Sequence, residues 1–185
     1  MTILKLKFFP DPILRQKANH VEIIDESILK LLEDMAETMY HAQGIGLAAN
    51  QVGKLKRVIV LDCAKEEIEN TDLEKNIKPN LYKMINPEII NYSEETSECK
   101  EGCLSIPPYK ALVKRPTEIN MKYLDINGKE KNLSAKGILS TCIQHEIDHL
   151  NGKLFLDHIS KLKKNMIIKK IHKKIKEDKE NNYEI

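Results

Sequence analysis

The stretch QHEIDH, residues 144–149, places His145 and His149 four positions apart, with Glu146 next to the first. On an α-helix, residues four apart lie on one face, so both imidazoles can bind one metal ion. Glu146 is displaced from His145 by about 100° around the helix axis, which sets its carboxylate beside the pair. There it can take a proton from a metal-activated water, the chemical reason for the H-E-x-x-H pattern. The stretch favours a helix with a catalytic metal site over two surface histidines.

A catalytic zinc-like site usually has three protein ligands and one open position, so a third ligand is expected. One class of HExxH peptidases continues as H-E-x-x-H-x-x-G-x-x-H, but this chain has Phe155 at the last position. Upstream, KEGCLSIPPY at 100–109 contains Cys103, whose thiolate would complete a Cys-His-His set. A buried structural thiol is the alternative, but beside H-E-x-x-H the ligand interpretation is favoured. The residues after it, Leu104 to Ile106, are predicted to be extended.

A third stretch, GIGLAANQ at 44–51, has two glycines that allow a close approach of the backbone. It ends on Gln51, whose amide can donate a hydrogen bond without carrying a charge. Taken alone, it indicates a glycine turn between a helix and a strand. It is not a phosphate loop, because the G-K-[ST] ending is missing.

Periodicity predicts one further helix and the extent of the helix that carries QHEIDH. Residues 25–41 have an amphipathic pattern that Asp25 or Ser27 can cap, with one apolar stripe: Ile28, Leu31, Leu32, Met35 and Met39. Residues 138–150 have helical spacing, and Gly152 is placed to end that helix.

The remaining segments predict strands. RVIVLD at 57–62 indicates a buried strand, and KMINPEII at 83–90 an extended segment in which Pro87 marks an edge or a bend. Residues 117–133 predict a hairpin that turns at an Asn-Gly dipeptide. The charged segment 64–80 is interpreted as a solvated excursion.

The C-terminal stretch 160–179 carries nine lysines against Glu177 and Asp178, a net +7 in a chain of net +2. An apolar stripe is predicted to pack this helix on the protein: Leu162, Met166, Ile168, Ile171 and Ile175. A solvated face is the ordinary interpretation of the lysines, and attraction to an anionic partner such as RNA is the other. The stretch lacks interleaved aromatic residues, so its nucleic-acid signal is weak.

Composition sets broad limits. A chain of 185 residues favours one domain with a real core, and no apolar stretch is long enough to span a bilayer. Lys5 and Lys7 interrupt the apolar start, so no signal peptide is predicted. The four cysteines are expected to be reduced. Cys63, Cys99 and Cys142 are interpreted as core residues, with Cys142 also able to line a pocket, because it shares a helix face with His145.

The three motifs together closely resemble the peptide deformylase family. That family has G-x-G-[LI]-[AS]-A-x-Q, E-G-C-[LV]-S and Q-H-E-x-D-H-L-x-G, and this chain has GIGLAANQ, EGCLS and QHEIDHLNG in the same order. FFPDPILRQKA also resembles the family's N-terminal segment, and the resemblance covers about residues 3–160. It implies an α+β fold, with antiparallel β-sheets around a central HExxH helix and with an N-terminal and a C-terminal helix. Residues 1–185 are expected to form one catalytic domain with a Lys-rich helix or tail at 160–185.

The resemblance implies hydrolysis of the N-formyl group from the N-terminal formylmethionine of new polypeptides, with release of formate. It implies one divalent metal ion, Fe²⁺ in the family, for which Zn²⁺, Ni²⁺ or Co²⁺ can substitute. The implied metal ligands are Cys103, His145 and His149. Among the implied catalytic groups, Glu146 is the general base and then the acid, Gln51 and the Leu104 N–H stabilise the oxyanion, and the Gly46 backbone aligns the peptide.

A pocket for the methionine side chain should be apolar and adaptable. The candidates are Ile45, Ile138 and Cys142, with ordinary core packing as the alternative. Glu101 and Gly102 precede the ligand and complete the candidate pocket set. Glu101 is expected to hold the ligand loop through a basic partner, for which Arg115 is the candidate.

The resemblance implies formyl-methionyl nascent peptides as partners. The basic C-terminal stretch suggests a second partner, the ribosome and its RNA, because nascent chains emerge from the ribosome. Neither a membrane nor DNA is expected. The bacterial cytoplasm is favoured, with a processed form in a bacterium-derived organelle as the alternative. Two other functions stay open: a zincin-like metallopeptidase, and a non-catalytic metal-binding protein, although a closed structural site would need a fourth protein ligand.

Overall fold

The structure, a computed structural model, describes residues 2–64 and 79–181, so the excursion predicted at 64–80 lies outside the described residues except at its ends. Three α-helices are described: α1 (Glu26–His41), α2 (Gly137–Leu150) and α3 (Lys161–Asn181). The described strands are β1 (Gly46–Ala48), β2 (Val58–Leu61), β3 (Tyr82–Tyr92), β4 (Thr96–Gly102), β5 (Lys110–Pro116), β6 (Glu118–Leu124) and β7 (Glu130–Lys136). Short 3-10 turns occupy Pro12–Arg15, Ala49–Val52 and Phe155–Asp157.

The strands form two antiparallel sheets, so the predicted α+β fold is confirmed. One sheet has the order β1-β2-β3-β6-β7, and β4 pairs with β5 in a separate two-stranded sheet. Helix α2 lies between them, in contact with β1, β2, β5, β6 and β7. Ten of its fourteen residues are buried, including both histidines. The HExxH helix is therefore the central helix of the fold.

Helix α1 packs on the β1–β2 end of the five-stranded sheet through the apolar stripe that its sequence predicts. Asp25 caps it by accepting a hydrogen bond from the Ile28 N–H at 3.0 Å, and the Ser27 hydroxyl donates to the same carboxylate. Ile28, Leu32, Met35 and Met39 are buried against β1 and β2, and Leu31 is partly buried. Capping and apolar spacing thus determine this helix locally.

Pro87 marks a bend and not an edge. Strand β3 pairs with β2 on one side and β6 on the other, and its register shifts between Ile85 and Glu88. Asn86 takes a φ of +52° at the shift. A bulge accommodates the missing N–H of proline inside a paired strand. The predicted hairpin is confirmed as β6–β7, with Gly128 at φ +76°.

The C-terminal helix packs through a face that the predicted stripe describes only in part. Ile168, Ile171 and Ile175 contact the cluster of Leu14, Phe155 and Val113, and Ile167, which was not predicted, joins them. Leu162 is 72% exposed and Met166 is 52% exposed, so these two predictions were wrong. At about 100° per residue they lie on the opposite side of the helix from Ile171.

Candidate active site

Cys103, His145 and His149 form the metal-binding group. One ligand atom from each lies within 4.8 Å of the others, and Cys103 Sγ is 3.2 Å from His149 Nε2. Metal–ligand bonds of about 2.0–2.3 Å around one ion put the ligands at separations of this order. Two imidazoles and a thiol are also the donor set that zinc and similar divalent ions prefer. The residues therefore fit a single divalent metal ion.

A turn carries Cys103 into the group, and the extended backbone predicted for Leu104 to Ile106 was wrong. Strand β4 ends at Gly102, and the Ile106 N–H donates to the Cys103 carbonyl at 3.0 Å. The chain must reverse here, because β5 pairs antiparallel with β4 and Gly102 faces Lys110. The reversal holds the thiol directly above α2.

Glu101 orients His145 from the other side, and the predicted Arg115 partner is confirmed. His145 Nδ1 lies 2.8 Å from Glu101 Oε2, and Arg115 Nη2 donates to the same oxygen at 3.0 Å. Burial alone raises the pKa of Glu101, but the His145 and Arg115 hydrogen bonds outweigh it and hold that pKa below its ordinary value. With Nδ1 engaged, His145 presents Nε2 to the metal group.

Arg115 also bonds Asp148, which in turn contacts His158, and the sequence did not single out either residue for the site. Its Nη1 donates to Asp148 at 2.9 Å, and His158 Nε2 lies 2.7 Å from the same carboxylate. The sequence could have indicated Asp148 as a site residue, because it lies next to the ligand His149 in the motif. His158 has no such signal, because only the fold brings it there.

Glu146 lies beside the metal group as the helix geometry predicts. It is 4% exposed, and its Oε2 has no hydrogen-bond partner among the described residues. Burial raises its pKa to about 7. A β-carbon at Gly46 would lie 2.5 Å from Glu146 Oε1 and 2.8 Å from Cys142 Sγ, so only glycine leaves room for this carboxylate.

Gln51 follows β1 and is aimed at the ligand loop. Its Oε1 accepts from the Ala48 N–H at 2.8 Å, which leaves Nε2 to donate on the other side. Nε2 lies 3.2 Å from Ser105 Oγ and 3.5 Å from Cys103 Sγ. The sequence predicts an uncharged donor at Gln51, and the structure adds that this donor lies next to the Cys103 thiol.

A cavity of about 480 Å³ opens onto these groups. The predicted residues that line it are Ile45, Gly46, Gln51, Glu101, Gly102, Cys103, Leu104, Ile138, Cys142, His145 and Glu146. His149 does not line it and is fully buried. The sequence reasoning missed Gln43, Gly44, Cys99, Lys100, Pro107, Pro108, Tyr109, Lys110 and Thr141.

The sequence-based interpretation of Cys99 was wrong. It was predicted to be a core residue, but it is only half-buried and lines the cavity. Alternate residues of a strand share a face, so Cys99 lies on the same side of β4 as Glu101. This alternation along β4 could have predicted from the sequence that Cys99 lies on the same face as Glu101.

An α+β fold closed around an HExxH helix, with three metal ligands and a buried carboxylate at an open cavity, defines a metal-dependent hydrolase. The profile of the family described as polypeptide deformylase matches residues 3–165. The chain belongs to this family.

Individual relatives agree over nearly the whole chain. A peptide deformylase from Rhizobium meliloti is 52% identical over 176 residues, covering 95% of this chain and 96% of that protein. One from Agrobacterium fabrum is 50% identical, covering 94% of this chain and 96% of that protein. The crystal structure of a peptide deformylase from Ehrlichia chaffeensis superimposes with a TM-score of 0.86 at 43% identity, covering 96% of this chain and 99% of that one.

The family removes the N-formyl group from nascent peptides, and this is the activity of the chain. The metallopeptidase and non-catalytic alternatives are therefore not supported. Phe155, at the position where a zincin would have its third ligand, is buried and stacks on His145 with ring centroids 6.4 Å apart. No helix of the described residues is long and apolar enough to cross a membrane.

Proposed function

We propose that Cys103, His145 and His149 hold one divalent ion, and that Glu146 and Gln51 act beside it to hydrolyse the formyl amide of an N-terminal formylmethionine. The observation that carries this proposal is the buried Glu146 carboxylate, which has an unpaired oxygen next to three ligands at an open cavity. The products are formate and a free amino terminus.

The bound ion supplies Lewis-acid chemistry, which makes a water more acidic and a carbonyl carbon more electrophilic. The ion proposed is Fe²⁺, and the family resemblance supports it. The Cys-His-His donor set equally accommodates Zn²⁺, Ni²⁺ and Co²⁺.

Glu146 moves the proton. Its free oxygen accepts a proton from the attacking water and returns it to the amine nitrogen as the C–N bond breaks. Glu146 is 4% exposed, which limits the contact of this carboxylate with bulk water. The space above Gly46 lets it lie against the backbone without a clash.

Gln51 and Leu104 stabilise the charge that develops on the formyl oxygen. Gln51 Nε2 already points toward the ligand loop, and the Leu104 N–H makes no backbone hydrogen bond within the described residues. Such a donor contributes roughly 3–4 kcal/mol in comparable oxyanion sites. The Gly46 backbone, which also lines the cavity, aligns the peptide.

The methionine side chain is proposed to lie against Ile45, Ile138 and Cys142. All three line the cavity and pack on the buried cluster around α2. An unbranched thioether adapts to such an apolar wall. Glu101 and Gly102 form the adjoining wall, with the Glu101 charge already compensated by Arg115 and His145.

We further propose that residues 1–185 work as one catalytic domain in the bacterial cytoplasm, and that the basic helix α3 draws it to ribosomal RNA. Exposed lysines such as Lys163, Lys169 and Lys170 support this attraction. Replacing these three by glutamine should weaken cosedimentation with ribosomes at low salt. Equal cosedimentation of the two proteins would contradict the RNA contact.

The central experiment measures formate release from a formyl-Met tripeptide by protein loaded anaerobically with Fe²⁺ or Ni²⁺. An acetyl-Met tripeptide is the matched comparison. Release from the formyl peptide alone is expected, because the acetyl peptide carries an extra methyl group at the carbonyl carbon that the proposed substrate lacks. No release by protein that holds one ion per chain would contradict the proposed mechanism.

A further inference from the structure

The outer part of the cavity carries two lysines that the proposed mechanism does not use. Lys100, on β4, and Lys110, on β5, both line the cavity and are both exposed. Lys100 faces Leu112 across the ladder and Gly102 faces Lys110, so both lysines lie on the same side of this two-stranded sheet. Neither has a hydrogen-bond or ion-pair partner among the described residues.

Gly102 lets the Lys110 side chain lie flat across β4. A β-carbon at Gly102 would be 3.2 to 3.6 Å from Cγ, Cε and Cδ of Lys110. The aliphatic stem therefore covers the glycine, and the ammonium group is carried toward the cavity that Gly102 and Cys103 line. The packing of the Lys110 side chain therefore explains the glycine at position 102, in addition to its place next to the ligand Cys103.

Among the residues that line the cavity, no carboxylate is free to pair with these two lysines; Glu98, on the same face of β4, faces Lys114 and does not line the cavity. The acidic residues that line the cavity are Glu101 and Glu146. Glu101 is engaged by Arg115 and His145, and Glu146 is buried beside the metal group. Gln43, which also lines the cavity, is exposed and neutral. The exposed charged residues that line the cavity are therefore Lys100 and Lys110.

We propose that Lys100 and Lys110 select substrates, favouring nascent chains with an acidic side chain at the second or third residue over chains with a basic one. This inference rests on the proposed function, since it takes formylmethionine to be held at the metal group. Gly102 precedes the ligand Cys103, and Lys100 is about 7 Å farther out along the strand. A peptide residue advances at most about 3.3–3.6 Å, so in a substrate that extends outward along β4 the second and third side chains pass these lysines.

The test compares peptides that differ only in one charge. Formyl-Met-Glu-Ala and formyl-Met-Ala-Glu are measured against their lysine counterparts, all as C-terminal amides so that no terminal carboxylate contributes. In the metal-loaded enzyme, kcat/KM for the better acidic peptide should exceed that of its lysine counterpart by roughly two- to fivefold at low salt. The preference should fall as ionic strength rises, because exposed charges are screened.

Charge reversal makes the test specific. The double variant Lys100→Glu and Lys110→Glu should reverse the preference, with a small change in kcat and the main change in KM. Lys114→Glu is the matched control, since Lys114 lies on the same exposed face of β5 without lining the cavity. That variant should keep the wild-type ratio.

The outcomes separate the two proposals. If the enzyme deformylates formyl-Met-Ala-Ala amide but acts at equal rates on acidic and basic peptides at both positions, the proposed selection is overturned. The proposed function then stands. A preference that survives the double reversal would also overturn it. Failure to deformylate any of the peptides would overturn both proposals together.

Discussion

At the scale of single residues, the site depends on polar atoms held without ordinary partners. The Glu146 carboxylate is buried with one oxygen unpaired, at a cost that folding alone does not explain. Residue 46 beside this carboxylate is glycine because a β-carbon there would displace the Glu146 side chain. A buried, unsatisfied group next to metal ligands is typical of a residue retained for its chemistry.

Glu146→Ala should therefore separate metal binding from turnover. The three ligands are untouched, so the variant should retain one ion per chain after dialysis. Formate release should fall by roughly 10²- to 10⁴-fold, because the proton acceptor is lost. Metal analysis and a formate assay on the same sample check this, with the exposed Glu98→Ala as control. Full turnover in the Glu146 variant would remove it from the mechanism.

At the scale of elements, the β4–β5 sheet is joined to α2 by charged groups that are out of water. Glu101 on β4 and Arg115 on β5 are both 5% exposed in their side chains, and each also reaches a residue of α2. A buried pair of this kind adds little net stability, but removing one partner leaves an uncompensated charge. The pair therefore fixes where the strand end and its ligand loop meet the helix.

Arg115→Met should lower the free energy of unfolding by about 3 kcal/mol, since it leaves the buried Glu101 carboxylate without its guanidinium partner. It should also weaken metal retention, because His145 loses its fixed orientation. Urea unfolding and metal titration measure the two effects. Arg115→Lys restores a charge but not the two-pronged geometry, so it should recover only part of each. A variant with wild-type metal affinity would show that Glu101 positions His145 without Arg115.

The start of α3 is attached to the rest of the protein by a second charged group. Asp157 accepts hydrogen bonds from Arg15, Lys164 and the Leu154 N–H. Partial burial alone raises its pKa, but these hydrogen bonds outweigh burial and hold the pKa well below its ordinary value. A carboxylate with a depressed pKa stabilises the fold above its unfolded-state pKa of about 3.9 and loses that contribution as pH falls toward the folded-state value.

Asp157→Asn should thus destabilise metal-free protein by roughly 1 kcal/mol, a modest amount because the group is partly exposed and screened. The difference from wild type should be constant from about pH 7 to 5 and shrink below about pH 4. Urea unfolding at several pH values measures it. Glu177→Gln, in an exposed pair with Lys173, should change little at any pH. A difference that stays constant down to about pH 3 would contradict this assignment.

At the scale of the whole molecule, the metal-binding group joins parts of the chain that are far apart in sequence. Cys103 comes from the two-stranded sheet, and His145 and His149 come from the central helix packed on the five-stranded sheet. An ion bound only by the folded arrangement stabilises the whole fold by linkage.

Metal removal should accordingly lower the midpoint of thermal unfolding, since free ion at a hundred times its Kd contributes about 2.7 kcal/mol. Scanning calorimetry with and without a chelator measures this shift. Cys103→Ser should show a smaller shift, because a serine hydroxyl stays protonated at neutral pH and binds the ion more weakly. Equal shifts in both proteins would place the ion elsewhere.

Local sequence determined much of this protein. The i, i+4 spacing of His145 and His149 sets both ligands on one helix face, and the Asp25 cap and Asn-Gly turn act within a few residues of themselves. Such features depend on neighbours along the chain, so the motifs, the main elements and the family resemblance could be read from residues alone.

Only the tertiary structure decided the features that join distant segments. The reversal after Cys103, the exposed side of α3 with Leu162, and the placing of Cys99, Lys100 and Lys110 at the cavity all depend on which elements meet. Periodicity identifies the apolar and polar faces of a helix or strand, but it does not identify the element that each face will contact. Packing between sheets and helices settles that choice, because each buried face must find a complementary one.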